Sequence, residues 1–147
     1  MTLASGYTQG TCQGSERYFM LRHGEFTVTT DGQMIILQVS GSHNEYDTLA
    51  VTQELRQVVL AFEGKPFVEL IDGRELQGTT PEGFKVLAEY EQWLSTQNFV
   101  ARAFVSPNRI IPAIAEKHID GIKENNVRNF IDIDAAKAWL LSELKKA

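Results

Sequence analysis

The chain has 147 residues, a formal net charge of -5, and 43% hydrophobic and 22% charged residues, a balance that excludes disordered and fibrous classes and suits one domain with its own core. Lysine and arginine are scattered rather than clustered, which argues against nucleic acid, and a single cysteine, Cys12, excludes an intramolecular disulfide. No apolar run reaches the roughly 18 residues of a membrane-spanning helix and no secretory signal is legible, so an integral membrane protein is not expected and the cytoplasm is the expected location.

Residues 1–15, rich in Gly, Ser, Thr and Gln, offer little apolar area to offset the entropy of ordering them and are expected to form a flexible tail, with residues 16–147 as a single domain. Asp31-Gly32 between β-branched and aromatic runs predicts a hairpin. Its first strand alternates through Phe26, Val28 and Thr30, and its second, from Met34 to Val39, is nearly continuous and ends at Ser40. Asn44 is the predicted N-cap of a helix over residues 45–62, whose apolar stripe is Leu49, Thr52, Leu55, Val58, Val59 and Phe62.

The centre of the chain reads as a short strand at residues 67–71, a polar loop from Asp72 to Thr80, and a helix opened by Thr79, Thr80 and Pro81. Thr80 as N-cap puts Pro81 at the first helical position, whereas Thr79 as N-cap forms a capping box with Glu82. The helix carries Phe84, Leu87, Ala88 and Leu94 on one side and Val86, Tyr90 and Trp93 round the side, a wider apolar face than the ~100° stripe a covering helix needs. A strand at residues 99–105, a helix containing Pro112, a turn at Asn125-Asn126, a strand over residues 127–131 and a helix capped by Asp134 complete the chain. The order ββαβαβαβα predicts an α/β fold: a mixed, mostly parallel five-stranded sheet with an N-terminal antiparallel hairpin strand and about four helices.

Chemical signatures are sparse. His23, His43 and His118 are isolated, so no metal site and no cofactor are expected. There is no nucleophile elbow, phosphate-binding glycine loop or dinucleotide fingerprint. Carboxylates gather at Glu69, Asp72 and Glu75, where Asp72 either sets an Asp-Gly turn or serves as a metal ligand or a base. Whichever of Thr79 and Thr80 is not the cap would present a hydroxyl at a helix N-terminus.

The segments VELIDGRELQGTTPEGF, FVARAFVSP and IDIDAAKAWLLSEL, in this element order, resemble the STAS-like (SpoIIAA-like) family, relatives of bacterial anti-sigma-factor antagonists, over residues 26–144. In the antagonists the loop after the third strand ends in Asp-Ser-Ser-Gly-Leu-Gly, whose second serine is phosphorylated by a partner kinase. The matching stretch here is Gly78-Thr79-Thr80-Pro81-Glu82-Gly83. Gly78 replaces the acid, Pro81 the first glycine and Glu82 an apolar residue. The resemblance implies a non-enzymatic regulatory module, with Thr80, or Thr79 beside it, as phosphoacceptor. A kinase-like or sigma-regulatory protein would be held by Asp72, Arg74, Glu75, Glu82, Tyr90 and Trp93. A further similarity to the lipid-exchange fold of CRAL-TRIO domains implies an alternative, a carrier or sensor of a lipid or other apolar small molecule received near Val86, Tyr90 and Trp93. Association with a second copy is open.

Overall fold

The computed structural model describes residues 21–122 and 126–147, so the expected tail and Asn125 lie outside the described residues. In chain order the elements are β1 (Glu25–Asp31), β2 (Met34–His43), α1 (Glu45–Ala61), β3 (Phe67–Thr79), α2 (Pro81–Leu94), β4 (Phe99–Val105), α3 (Ile110–His118), β5 (Val127–Phe130) and α4 (Ile133–Lys146). The five strands form one sheet in the order β1-β2-β3-β4-β5. Only the β1–β2 pair is antiparallel. The expected mixed, mostly parallel sheet with four helices is the architecture found.

Patterning explains the layers. Gly32, at φ 60°, makes the tight turn that sets Asp31 against Met34, and alternation then buries Phe26 and Val28 of the edge strand. Those residues join Ile35, Leu37, Val39 and Phe67 beneath Val51, Leu55, Val58 and Val59 of α1 and Tyr90 and Leu94 of α2. Leu49 of the expected α1 stripe is instead exposed, and Ala50 and Val51 take the inward positions. On the opposite face Met34, Val68, Leu70, Ala101, Ala103 and Val105 are covered by Ala136 and Leu140 of α4. Right-handed crossovers between successive neighbours place the three connecting helices on one face and leave the other to α4.

Asn44 caps α1 as expected, its Oδ1 accepting from Tyr46 N at 2.9 Å and Asp47 N at 3.0 Å. Asp47 closes the capping box by accepting from Asn44 N at 2.8 Å. Its fully buried carboxylate also accepts from His23 N and Gly24 N, both at 3.1 Å, and lies 3.6 Å from Arg22 Nε. The cap of α4 is Asp132 rather than Asp134: Asp132 Oδ2 accepts from Ala135 N at 3.1 Å, which leaves Asp134 in the first turn.

His43 is buried against this strap, with its ring so near Gly24 that a Cβ there would fall 2.3 Å from Cδ2. Burial pushes its pKa below the ordinary 6.5 against the opposing pull of Asp47 and of the Ser40 and Glu25 carbonyls, while Arg22 pushes the same way as burial. Since the folded state prefers neutral His43, the associated stability is full above about pH 6.5 and is lost as pH falls through the folded pKa. Unfolding free energy measured between about pH 7 and pH 5 is expected to decline in the wild type and to decline less in His43→Gln. Parallel slopes in the two proteins would refute this assignment.

Candidate functional site

The segment that reads as a polar loop is strand. β3 runs to Thr79, and β2 runs three residues past Ser40 to meet it, pairing Ser40 with Glu75, Gly41 with Leu76, Ser42 with Gly78 and His43 with Thr79. Backbone pairing has outweighed the polar composition that suggested a loop. Asp72-Gly73 therefore makes no turn. Both residues are buried, and a Cβ on Gly73 would fall 2.6 Å from Phe104 Cε1, so glycine is needed there for close packing.

β4 stops earlier. Its ladder with β3 ends at Asp72 opposite Val105, after which the chain leaves the sheet toward α3. From residue 73 to residue 79, β3 thus has β2 on one side and no strand on the other among the described residues. Between this edge, α2 and α3 lies a cleft of about 140 Å³ lined by Leu76, Phe84, Leu87, Phe104, Ile111 and Ile114, with Gln77 and Thr79 along the strand. On α3, Ile110 is 63% exposed and Ile114 39% exposed.

Thr80 is the cap of α2. Its Oγ1 accepts from Gly83 N at 3.1 Å, Pro81 stands at the first helical position, and Thr80 N donates to His43 O at 2.9 Å. Thr79 belongs to the strand, so the alternative capping box with Glu82 does not form. Gly83 is hemmed in by Thr79 Cγ2 and Asn44 O, at 2.8 and 3.3 Å from a built Cβ, which brings the starts of α1 and α2 together. Thr80→Ala is expected to lower stability by about 1 kcal/mol in urea unfolding; a change of a few tenths or less would mean that water replaces the cap.

The remaining expected site residues separate into three surroundings. Arg74, Glu75 and Glu82 are exposed, and none of them lines the cleft. Asp72 is inside, gripped by Arg74 through Nε–Oδ1 at 2.9 Å and Nη2–Oδ2 at 2.8 Å. That grip, opposed by burial, holds the Asp72 carboxyl below its usual range, and Arg74 is raised in turn. A carboxylate doubly occupied in this way is poorly disposed to act as a base. Tyr90 is only 3% exposed and leaves the partner surface for the core. Trp93 is half-buried next to it under the guanidinium of Arg56, which sits 5.0 Å from the Trp93 ring. The apolar recess accordingly lies on the Phe84 and Leu87 side of α2, not near Val86, Tyr90 and Trp93.

Beneath α2 is a buried polar cluster that sequence reasoning missed. Tyr90 donates to Glu69 Oε2 at 2.5 Å, Arg102 Nε donates to Glu69 Oε1 at 3.0 Å, and Arg102 Nη1 is paired with Glu91. All four residues are buried. Burial, then Glu69, pushes the Tyr90 hydroxyl well up. Burial opposes the charge of Arg102, but Glu69 and Glu91 overcome that and raise its pKa. The cluster ties α2 to the sheet, Tyr90 and Glu91 of the helix meeting Glu69 and Arg102 of the strands. Among the described residues no group of histidines, cysteines and carboxylates could hold a metal, and no helix is long and apolar enough to cross a membrane.

No family model and no curated protein matches the chain. Solved structures do. An uncharacterized DUF3478-family protein with a SpoIIAA-like fold from Shewanella loihica PV-4 superposes with a TM-score of 0.61 at 15% identity, covering 81% of this chain and 94% of that one. The chain has the SpoIIAA-like, STAS-like fold. An anti-sigma factor antagonist from Mycobacterium paratuberculosis superposes with a TM-score of 0.59 at 17% identity, over 80% of this chain and 94% of that one. Within the SpoIIAA-like fold, the overrun of β3, the start of α2 and α3 converge at the carboxyl ends of the parallel strands.

Proposed function

We propose that this protein is a non-enzymatic regulatory module that binds a protein partner through the surface formed by the end of β3, the N-terminus of α2 and the outer face of α3. The observation that carries this reading is an apolar cleft between the end of β3 and α3, lined by the exposed Ile114 and by Ile111, with the exposed Ile110 next to Ile111 in the chain. Apolar side chains grouped at a recess, with Arg74, Glu75 and Glu82 exposed on the same end of β3 and start of α2, suit an interface core with a polar rim. A regulatory role is supported by the shared fold with the anti-sigma factor antagonist.

Thr79 and Thr80 stand at the border of this surface and are the proposed phosphoacceptors. The Thr80 hydroxyl is engaged as the α2 cap, whereas that of Thr79 makes no hydrogen bond to the described residues. A phosphate on either would bring a charge of nearly two to the helix N-terminus and alter what the surface can bind.

Capture of partners from the source cell by wild type and by Ile110→Asp, followed by titration of the purified partner, tests the proposal. A partner bound by wild type at least about tenfold more tightly than by Ile110→Asp or Thr80→Glu is the expected result. A partner indifferent to both changes would place the interface elsewhere. The cleft itself favours a second reading, a carrier or sensor of a small apolar molecule, which a ligand mass retained in native mass spectrometry would support.

A further inference from the structure

We infer that His43 is an acid-operated latch: protonation of its ring frees the strap of residues 21–24 from the end of the sheet while the rest of the domain stays folded. This goes beyond the partner-binding reading and does not depend on it. The strap precedes β1 and takes no part in the β1–β2 ladder, which starts at Glu25. Side chains of α1 and its cap hold it instead. Asp47 accepts from His23 N and Gly24 N, both at 3.1 Å, Asn44 Nδ2 donates to Leu21 O at 2.8 Å, and Arg22 Nε lies 3.6 Å from Asp47 Oδ1. A segment tied by side-chain contacts rather than by a ladder belongs to the part of a fold that opens first.

His43, the last residue of β2, is what the strap closes over. Its ring is buried, its Nε2 stands 3.1 Å from Ser40 O, and a Cβ on Gly24 would fall 2.4 Å from that nitrogen, so the strap backbone occupies the space water would need. The charged groups acting on the ring are Asp47 of α1 and Arg22 of the strap, while β1 and β2 face it with the Glu25 and Ser40 carbonyls. On the side of β3 and α2 its neighbours are uncharged: Thr79 is its ladder partner and Thr80 N donates to its carbonyl. Asp47 and the two carbonyls favour an imidazolium, but Asp47 is already engaged by three backbone N–H groups and by Arg22, and burial outweighs them. Lifting Gly24 away returns the ring to water. The closed strap is therefore fully favoured above about pH 6.5 and loses that advantage as pH falls toward the lower value of the covered ring.

The test is amide exchange of the full chain, corrected for the pH dependence of the chemical step, beside an NMR titration of the His43 ring. Between about pH 7.5 and pH 5.5 the opening constant at residues 23 and 24 is expected to rise roughly five- to tenfold, the range available to one histidine released to its ordinary pKa, with α4 unchanged. His43→Gln is expected to abolish the rise, and His23→Gln, which removes the exposed histidine of the strap, to keep it. A rise shared by α4 would be global unfolding, and a rise that survives in His43→Gln would belong to another group; either result overturns the latch. Should His43→Gln leave the strap open already at about pH 7.5, the wild-type ring decides: titration of His43 below about pH 6.5 supports the latch, and titration at or above that value overturns it, because closure would then favour the imidazolium.

Discussion

Arg102→Ala is expected to destabilise the protein by about 3–5 kcal/mol, because it strands two buried carboxylates, Glu69 and Glu91, without their shared cation. In a chain of this size such a loss lowers the thermal midpoint by roughly 10–16 °C. The geometry is specific: Arg102 lies directly opposite Glu69 in the β3–β4 ladder, while Glu91 descends from α2. Replacing all three groups together, as Arg102→Met with Glu69→Leu and Glu91→Leu, is expected to restore stability to within about 1 kcal/mol of wild type or beyond it. If the single substitution cost less than about 1 kcal/mol in denaturant unfolding, the cluster would not be what holds α2 to the sheet.

Asp47→Ala is expected to cost about 3 kcal/mol. The carboxylate accepts from the backbone of His23, Gly24 and Asn44, and its removal leaves partly or fully buried donors unsatisfied while opening the α1 capping box. Faster amide exchange at residues 23, 24 and 44 should accompany the loss. A globally weakened protein whose exchange at those three amides is unchanged would contradict the assignment. Since Gly83 packs against Asn44 O and Thr80 N donates to His43 O, the same change should also loosen the start of α2.

Much of this fold was legible because its elements announce themselves locally. Asp31-Gly32, the Asn44 cap and the Thr80-Pro81 start are short-range signals, and the structure keeps all three. The length of β3 was not legible: residues 73–79 are polar and glycine-containing, and only pairing with β2, a long-range event, makes them strand. Burial of Glu69, Glu91 and Arg102 was hidden for a similar reason, since a charge in a sequence window reads as surface until its partner is known. A signal was nonetheless present in Glu69 and Arg102, opposite charges at the centres of two apolar strands.

Tyr90 shows the limit of a helical wheel. Its position at the side of α2 suggests a leftover surface face, but Glu69 supplies a buried acceptor that makes the inward position favourable. Phe104, Ile111 and Ile114 escaped notice because the cleft they line forms only where β4 ends before β3.

The most direct measurement is hydrogen exchange of the full chain with and without a purified binding partner. Binding at the proposed surface should slow exchange at residues 73–79, at the start of α2 and along α3, with α4 unchanged. Protection confined to α4 or to β1, with residues 73–79 exchanging as in the free protein, would contradict it.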